Sequence, residues 1–241
     1  MKIISGAADE LSNELFSKIC RYRHKVFVET LGWELDTKEG VELDQFDHAG
    51  TIYVVAQDQD GEVIGCGRLL PTRQPYLLSE VFPQLLKGAA PPCHPEIWEL
   101  SRFAAMDFNK KSDTALDQVS SSIAVKLLQG SIACAARLGA KRLVTVSPIG
   151  MERWLRRGGF TIQRLAPPMK VDGHALFACL IEVQKSPPSW SASNRLSIAS
   201  RSSASWSSRA GTPCRVHNRP CRRLDREWSA VIDTRPKHPL L

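Results

Sequence analysis

The sequence predicts an α/β (α+β) chain: a single mixed β-sheet flanked by helices, followed by a basic tail. Three observations carry that prediction. Two β-branched runs, TIYVVAQ at 51–57 and VIGCGRLL at 63–70, are joined through Asp58-Gln59-Asp60-Gly61, which is a hairpin signal. Between Thr114 and Leu138, the residues Leu116, Val119, Ile123, Leu127, Ile132 and Leu138 recur as the apolar face of a long helix. Further apolar runs at 142–147 and 174–183 follow that helix, so strands and helices interleave around one sheet.

Taken in chain order, Leu11, Leu15, Ile19 and Val26 recur at helical spacing and predict a first helix beginning near Ala8. Its periodicity fails at Gly32, and a charged connection that is not regular helix runs to the hairpin. Proline-rich segments around 71–75 and 89–95 bracket a short helical piece at 77–88 and lead into a strand, Ile97 to Ala104. Gly139 is placed to stop the long helix. A buried strand at 142–147, a short helix from Met151 to Arg157 and a last strand at 174–183 complete the expected elements.

Charge divides the chain in two. Residues 1–185 carry 22 Lys+Arg against 22 Asp+Glu, whereas residues 186–241 carry 10 against 3, so the net charge of +7 lies in the last 56 residues. The pI near 9.2 therefore describes the tail. Residues 1–185 are expected to form one domain with a substantial core. Residues 186–241 hold twelve serines and no sustained apolar period, and read as a disordered, low-complexity tail. A basic tail on a neutral body gives little support for nucleic-acid binding, and no partner of that kind is expected. No run nears the ~18 apolar residues of a membrane span, so a soluble, cytoplasmic protein with no membrane partner is expected. The seven cysteines are scattered, and those in the body read as small hydrophobes. Cys214, His217 and Cys221 have a faintly zinc-like spacing but no second close pair, so no metal site is expected.

Chemistry concentrates in residues 21–47. Arg23 and Phe27 lie four apart and share a helix face, while Trp33, Asp44 and Asp47 fall in the charged connection. An indole beside two carboxylates can hold a cationic ligand, with a cation–π contribution of roughly 0.5–2 kcal/mol. The plainer reading makes Phe27 and Trp33 core and leaves the acids solvated.

Arg23, Phe27, Trp33, Asp44 and Asp47, then Arg68 in GCGRLLP, Phe82 in SEVFP, and Glu99 and Arg102 in WELSRFA, resemble in order and spacing the signature of LuxI-type acyl-homoserine-lactone synthases. The resemblance covers residues 1 to about 183. It implies an N-acyltransferase (GNAT)-like fold, S-adenosylmethionine as the amine-donating substrate, and acyl chains delivered as thioesters on acyl-carrier protein, with no cofactor beyond these substrates. Phe27 and Trp33 would shield the sulfonium.

Within that frame, Glu99, Ser101 and Phe103 alternate along the predicted strand and are expected to face one way, with Leu100 and Arg102 facing the other. Glu99 is then the general-base candidate, because an α-amino group with a pKa of about 8 must lose a proton before it attacks. Arg68, Asp44, Asp47, Arg102 and Ser101 join it as catalytic candidates, and Phe103 joins Arg23, Phe27 and Trp33 as candidates for binding S-adenosylmethionine. The plainer role for Glu99 is a pair with an arginine. Arg102 can reach the Glu99 side only through a bulge, and the expectation is that it works on the opposite side as a clamp for Asp44 or Asp47. Arg23 and Arg68 either pair with those acids or hold a substrate carboxylate.

Gly65-Cys66-Gly67 lies inside a strand and lacks the third glycine of a phosphate loop. MDFNKKSDT, ahead of the long helix, contains no glycine, whereas coenzyme-A-dependent acyltransferases of similar fold use a Gly-rich turn there; this favours a carrier-bound thioester. Arg153, Arg156 and Arg157 form one basic helix face, expected to dock the acidic carrier protein, the plainer reading being a solvated face. Thr145 and Ser147 share one face of their strand and, with Phe82, are the acyl-chain pocket candidates; a core threonine bonded to backbone is the alternative. The function expected is therefore acyl-homoserine-lactone synthesis, with a coenzyme-A-dependent N-acyltransferase as its rival.

Overall fold

The computed structural model describes residues 1–109 and 122–183. The tail at 186–241, the Cys214/His217/Cys221 spacing and the first turns expected for the long helix lie outside the described residues. Among those described, the strands form one sheet in the order β1-β2-β3-β4-β5-β8-β6, with β7 also pairing β8. They are β1 (Lys2–Ala7), β2 (Ile52–Gln57), β3 (Val63–Pro71), β4 (Ile97–Ala104), β5 (Arg142–Pro148), β6 (Ile162–Arg164), β7 (Met169–Val171) and β8 (His174–Glu182). The first four run as an antiparallel meander, and β5 joins β4 in parallel. A parallel neighbour needs a crossover, and α3 (Ser122–Arg137) lies in it.

The sheet is mixed and covered on both faces. On one face, α3 packs Ile123, Ala124, Leu127 and Leu128 against Val54, Leu69, Leu100 and Leu143. Gly130 is required there, because a Cβ would stand 2.8 Å from the side chain of Ile3 on β1. On the other face lie α1 (Asn13–Arg23) with the π-helical turn His24–Thr30 that continues it, packed on Tyr53, Val55 and Cys66. Further along that face, α2 (Leu77–Glu80) and a 3₁₀ turn (Pro83–Leu86) enclose a second apolar cluster with Leu70, Val144, Ala178 and Leu180.

Three expectations need correction. The N-terminal residues form β1, and α1 starts at Asn13, where the Ser12 hydroxyl accepts a hydrogen bond from the Leu15 amide. The helical piece expected at 77–88 breaks in two because Pro83, lacking an amide donor, begins the 3₁₀ turn. The first helix also does not stay α-helical through Phe27: it widens into the π-turn from His24. No helix among the described residues is long and apolar enough to cross a membrane.

Candidate active site

The connection between the π-turn and β2 folds back over β3 and β4 and buries a set of ion pairs. Asp47 is its hub: Arg23 donates Nη1 to Oδ1 and Nη2 to Oδ2, both at 2.9 Å. Arg23 also donates Nε to Glu42 in a close contact. Arg68, on β3, donates Nη1 to Asp44 at 2.5 Å and to Asp47 at 2.9 Å, and Nε to the Ser101 hydroxyl at 3.1 Å. Arg102 donates to Glu42 at 3.0 and 3.1 Å and stands 2.8 Å from Asp44. Three guanidiniums thus face three carboxylates. Arg23, Arg68, Glu42, Asp47 and Arg102 are all buried, so a near-neutral balance is what lets the set sit inside the fold. Burial works against the charged form of Asp47, but Arg23 and Arg68 outweigh it and hold the carboxyl well below its usual range. Burial opposes the charge on Glu42 too, and Arg102 and Arg23 bring its value down. Arg68 is pushed upward by Asp44 and Asp47 despite its burial.

Asp44 and Asp47 are therefore committed to arginines and are not an open site for a cationic ligand, as the residues alone had suggested. The cation they serve is already built in. Glu42 and Tyr53 were missed from the sequence. Glu42 had a faint signal, two residues before Asp44 on the same acidic stretch, whereas Tyr53 sits in an ordinary strand pattern that marks it only as core.

The geometry of β4 overturns the expected alternation. Arg102 has φ +50°, and the pairing with β3 slips between Cys66/Ala104 and Arg68/Ser101, so a bulge sits at Arg102. It turns Arg102 onto the face of Glu99, Ser101 and Arg68, not the opposite side as expected, although the expected clamp on Asp44 is present, at 2.8 Å. The same slip sends Phe103 the other way. Phe103 packs on the α3 side, near Leu100, with its ring 6.4 Å from that of Trp154. It does not share the Glu99 face.

Glu99 is fully buried and lies beside this network, joining no ion pair among the described residues. Its carboxylate accepts the Leu77 amide at 2.9 Å and the Leu78 amide at 2.8 Å, at the start of α2. Burial raises its pKa to about 7, against the opposing effect of those two amides and Arg68. A carboxyl so poised exchanges a proton near neutrality, the condition for general acid–base work. The plainer role, a pair with an arginine, is not what the structure shows.

Phe27 and Trp33 stack with centroids 4.5 Å apart, and the Arg102 guanidinium lies 5.6 and 5.8 Å from the two rings. The π-turn makes this possible: the Trp33 amide bonds back to the Phe27 carbonyl, folding the indole onto the phenyl ring. Phe27 is buried, whereas Trp33 keeps part of its surface open.

The three acyl-pocket candidates are not brought together. Phe82 belongs to the apolar cluster on the Glu99 face. Thr145 and Ser147 pair with Cys179 and Phe177, on the α3 side of β5, and the Thr145 hydroxyl makes a 3.4 Å bond to the Val146 carbonyl. β4 and β5 pair only over Ile97–Glu99 and Arg142–Val144, then separate.

On α4 (Gly150–Arg157), Arg153, Arg156 and Arg157 are exposed and line, with Arg164, an open concavity of ≈ 560 Å³. Glu152 lies in its wall and binds Arg156 and Arg164, which leaves Arg153 and Arg157 as the less committed charges of that face. Lys141 pairs with Glu96.

Comparison with known proteins places this geometry in a family. The model of the autoinducer synthases matches residues 8–187. The acyl-homoserine-lactone synthase of Acinetobacter nosocomialis is 56% identical over 183 residues, 76% of this chain and 100% of that one. Among solved structures, TofI in a ternary complex with an inhibitor and MTA superposes with TM-score 0.66 at 40% identity, covering 76% of this chain and 92% of that one. BjaI, described as a CoA-dependent acyl-homoserine lactone synthase and solved with SAM and isopentyl-CoA, gives TM-score 0.66 at 27% identity over 76% and 84% of the two chains. An acyl-CoA N-acyltransferase from Pseudomonas aeruginosa, 14% identical with TM-score 0.51, shares the fold. The chain belongs to the autoinducer synthase family, the acyl-homoserine-lactone synthases, and is an acyltransferase.

Proposed function

We propose that this chain joins S-adenosylmethionine to an acyl group carried on acyl-carrier protein and closes the product to an N-acyl-L-homoserine lactone, releasing methylthioadenosine and holo-carrier protein. The observation that carries the reading is Glu99, a buried carboxyl with a pKa of about 7 on the same sheet face as a buried guanidinium nitrogen, Nη2 of Arg68, that has no hydrogen-bond partner among the described residues. Glu99 takes a proton from the substrate ammonium, directly or through water. The freed amine attacks the thioester carbonyl, the new C–N bond forms, the C–S bond breaks and the carrier thiol leaves. The amine carboxylate, held by Arg68 Nη2, then attacks the carbon bearing the sulfonium. The second C–S bond breaks with its electrons on sulfur, and methylthioadenosine departs. The sulfonium is a good leaving group, so closure demands mainly proximity and calls for no metal or redox cofactor. Arg23, spending both Nη atoms on Asp47 and Nε on Glu42, acts by holding the network instead of touching substrate.

The open side of Trp33 receives the sulfonium, with Phe27 backing it. Trp33→Ala is expected to weaken S-adenosylmethionine binding by about 1–2 kcal/mol in titration calorimetry; an unchanged dissociation constant returns Trp33 to the core.

Carrier protein is favoured over coenzyme A by the glycine-free stretch Met106 to Thr114, part of which lies outside the described residues, and by the basic face of α4. The coenzyme-A reading is supported by two structurally similar synthases, MesI and BjaI, both CoA-dependent. Steady-state rates with one acyl chain presented on carrier protein and on coenzyme A decide between them: a higher kcat/KM on the carrier is expected, and a clear preference for coenzyme A overturns this part of the reading. Reversing Arg153 and Arg157 to Glu is expected to raise KM for the carrier-linked donor roughly tenfold while leaving S-adenosylmethionine binding unchanged.

A further inference from the structure

Tyr53 on β2 lies directly opposite Arg68 on β3, on the same face of the sheet, and is buried. Its hydroxyl donates to Asp47 Oδ1 at 2.5 Å. That oxygen already accepts Arg23 Nη1 and Arg68 Nη1, each at 2.9 Å. Three donors crowd that one oxygen, and the Tyr53 hydroxyl, the closest of them, holds the position that Arg68 Nη2 would otherwise take. The second oxygen, Oδ2, takes Arg23 Nη2 at 2.9 Å and the Asp44 amide at 2.8 Å. Asp47 has no capacity left.

This matters for Arg68. An arginine beside a carboxylate ordinarily closes two parallel hydrogen bonds, as Arg23 does with Asp47. Arg68 does not. It brings Nη1 alone to Asp47, and Nη2 stays buried without a hydrogen-bond partner among the described residues. We propose that Tyr53 is a positioning residue: by filling Asp47 Oδ1 it stops Arg68 from rotating into a two-bond pair and keeps Nη2 directed at a substrate oxygen. The proposal rests on the reading above that Nη2 holds the carboxylate of S-adenosylmethionine.

Tyr53→Phe removes the hydroxyl and keeps the ring that packs edge-on against Phe16, 5.7 Å away. In a crystal structure of Y53F, Arg68 Nη2 is expected within hydrogen-bond distance of Asp47. Calorimetry is expected to show S-adenosylmethionine binding weakened about tenfold, the loss of one charge-assisted bond. KM for the acyl donor is expected to stay the same, which a merely structural role would not allow. The double variant Y53F/R68K is expected to bind S-adenosylmethionine no more weakly than R68K alone, because Tyr53 acts through Arg68. An Arg68 side chain unmoved in the Y53F crystal overturns the proposal, as do additive losses in the double variant or a loss of thermal stability with both KM values rising together. If the wild-type chain fails to bind S-adenosylmethionine, the functional reading falls, while the position of Arg68 in the Y53F crystal still decides the role of Tyr53.

Discussion

Glu99→Gln is expected to lower kcat at least ~100-fold while leaving the protein folded, since positioned acid–base catalysis contributes roughly 10²–10⁴ in rate. The carboxyl is buried, adjacent to the network, and half-ionised near neutral pH because burial raises its pKa to about 7. The wild-type rate at saturating substrate is therefore expected to climb as pH rises through about 7, and E99Q is expected to lose that limb. The stability consequence has the opposite sign. A folded pKa above the ordinary carboxylate value of 4.5 means that the protonated form is favoured in the native state; its stabilising contribution is complete below 4.5 and fades as pH passes about 7. E99Q carries no buried charge, so above pH 7 it is expected to be no less stable than wild type. Near-normal turnover in E99Q removes the base, and a collapse of its melting temperature reassigns Glu99 to holding α2 through Leu77 and Leu78.

Arg23→Ala is expected to have the largest effect on stability. Arg23 is fully buried and neutralises Glu42 and Asp47 together. Removing one partner of a buried ion pair leaves charge uncompensated and costs ~3–5 kcal/mol, for a chain of this size a fall of roughly 10 °C in melting temperature. Acid should reproduce the effect. Asp47 and Glu42 are held below their ordinary values by arginines, so they stabilise the native state above the ordinary carboxylate range, and that contribution is lost as pH falls through their lower native values. Thermal unfolding of wild type and R23A from pH 7 to pH 3 measures both. A shift of less than about 2 °C at pH 7 means that the network relaxes without Arg23.

The same network shows what the sequence could and could not reveal. Elements with a long apolar period were legible: the β2–β3 hairpin, β4, β5 and β8 all stand where their patterns placed them. β1 was lost because KIISGA is short and its two faces are covered unequally, by α3 through Ile3 and otherwise at the sheet edge. β6 and β7, three residues each, carry too few side chains to show a period. The residues of the site could be named from their resemblance, yet their arrangement could not. Nothing in WELSRF announces that Arg102 adopts φ +50°, and that one backbone angle decides that Arg102 joins Glu99 while Phe103 departs. Nor does a run of acids state which will be solvated. Glu42 and Asp47 are buried, whereas Glu34, Glu39 and other acids on the same connection are not, and the difference is the three arginines that only the fold brings to them.

The most direct test of the account follows both oxygens of the amine donor. Purified full-length chain is incubated with an acyl-carrier thioester and S-adenosylmethionine labelled with ¹⁸O at both carboxylate positions, and lactone and methylthioadenosine are quantified by mass spectrometry. Closure by carboxylate attack on the carbon bearing sulfur predicts one methylthioadenosine per lactone and both labels retained in the ring ester. Lactone lacking one label, or lactone formed in excess of methylthioadenosine, would contradict the mechanism assigned to this site.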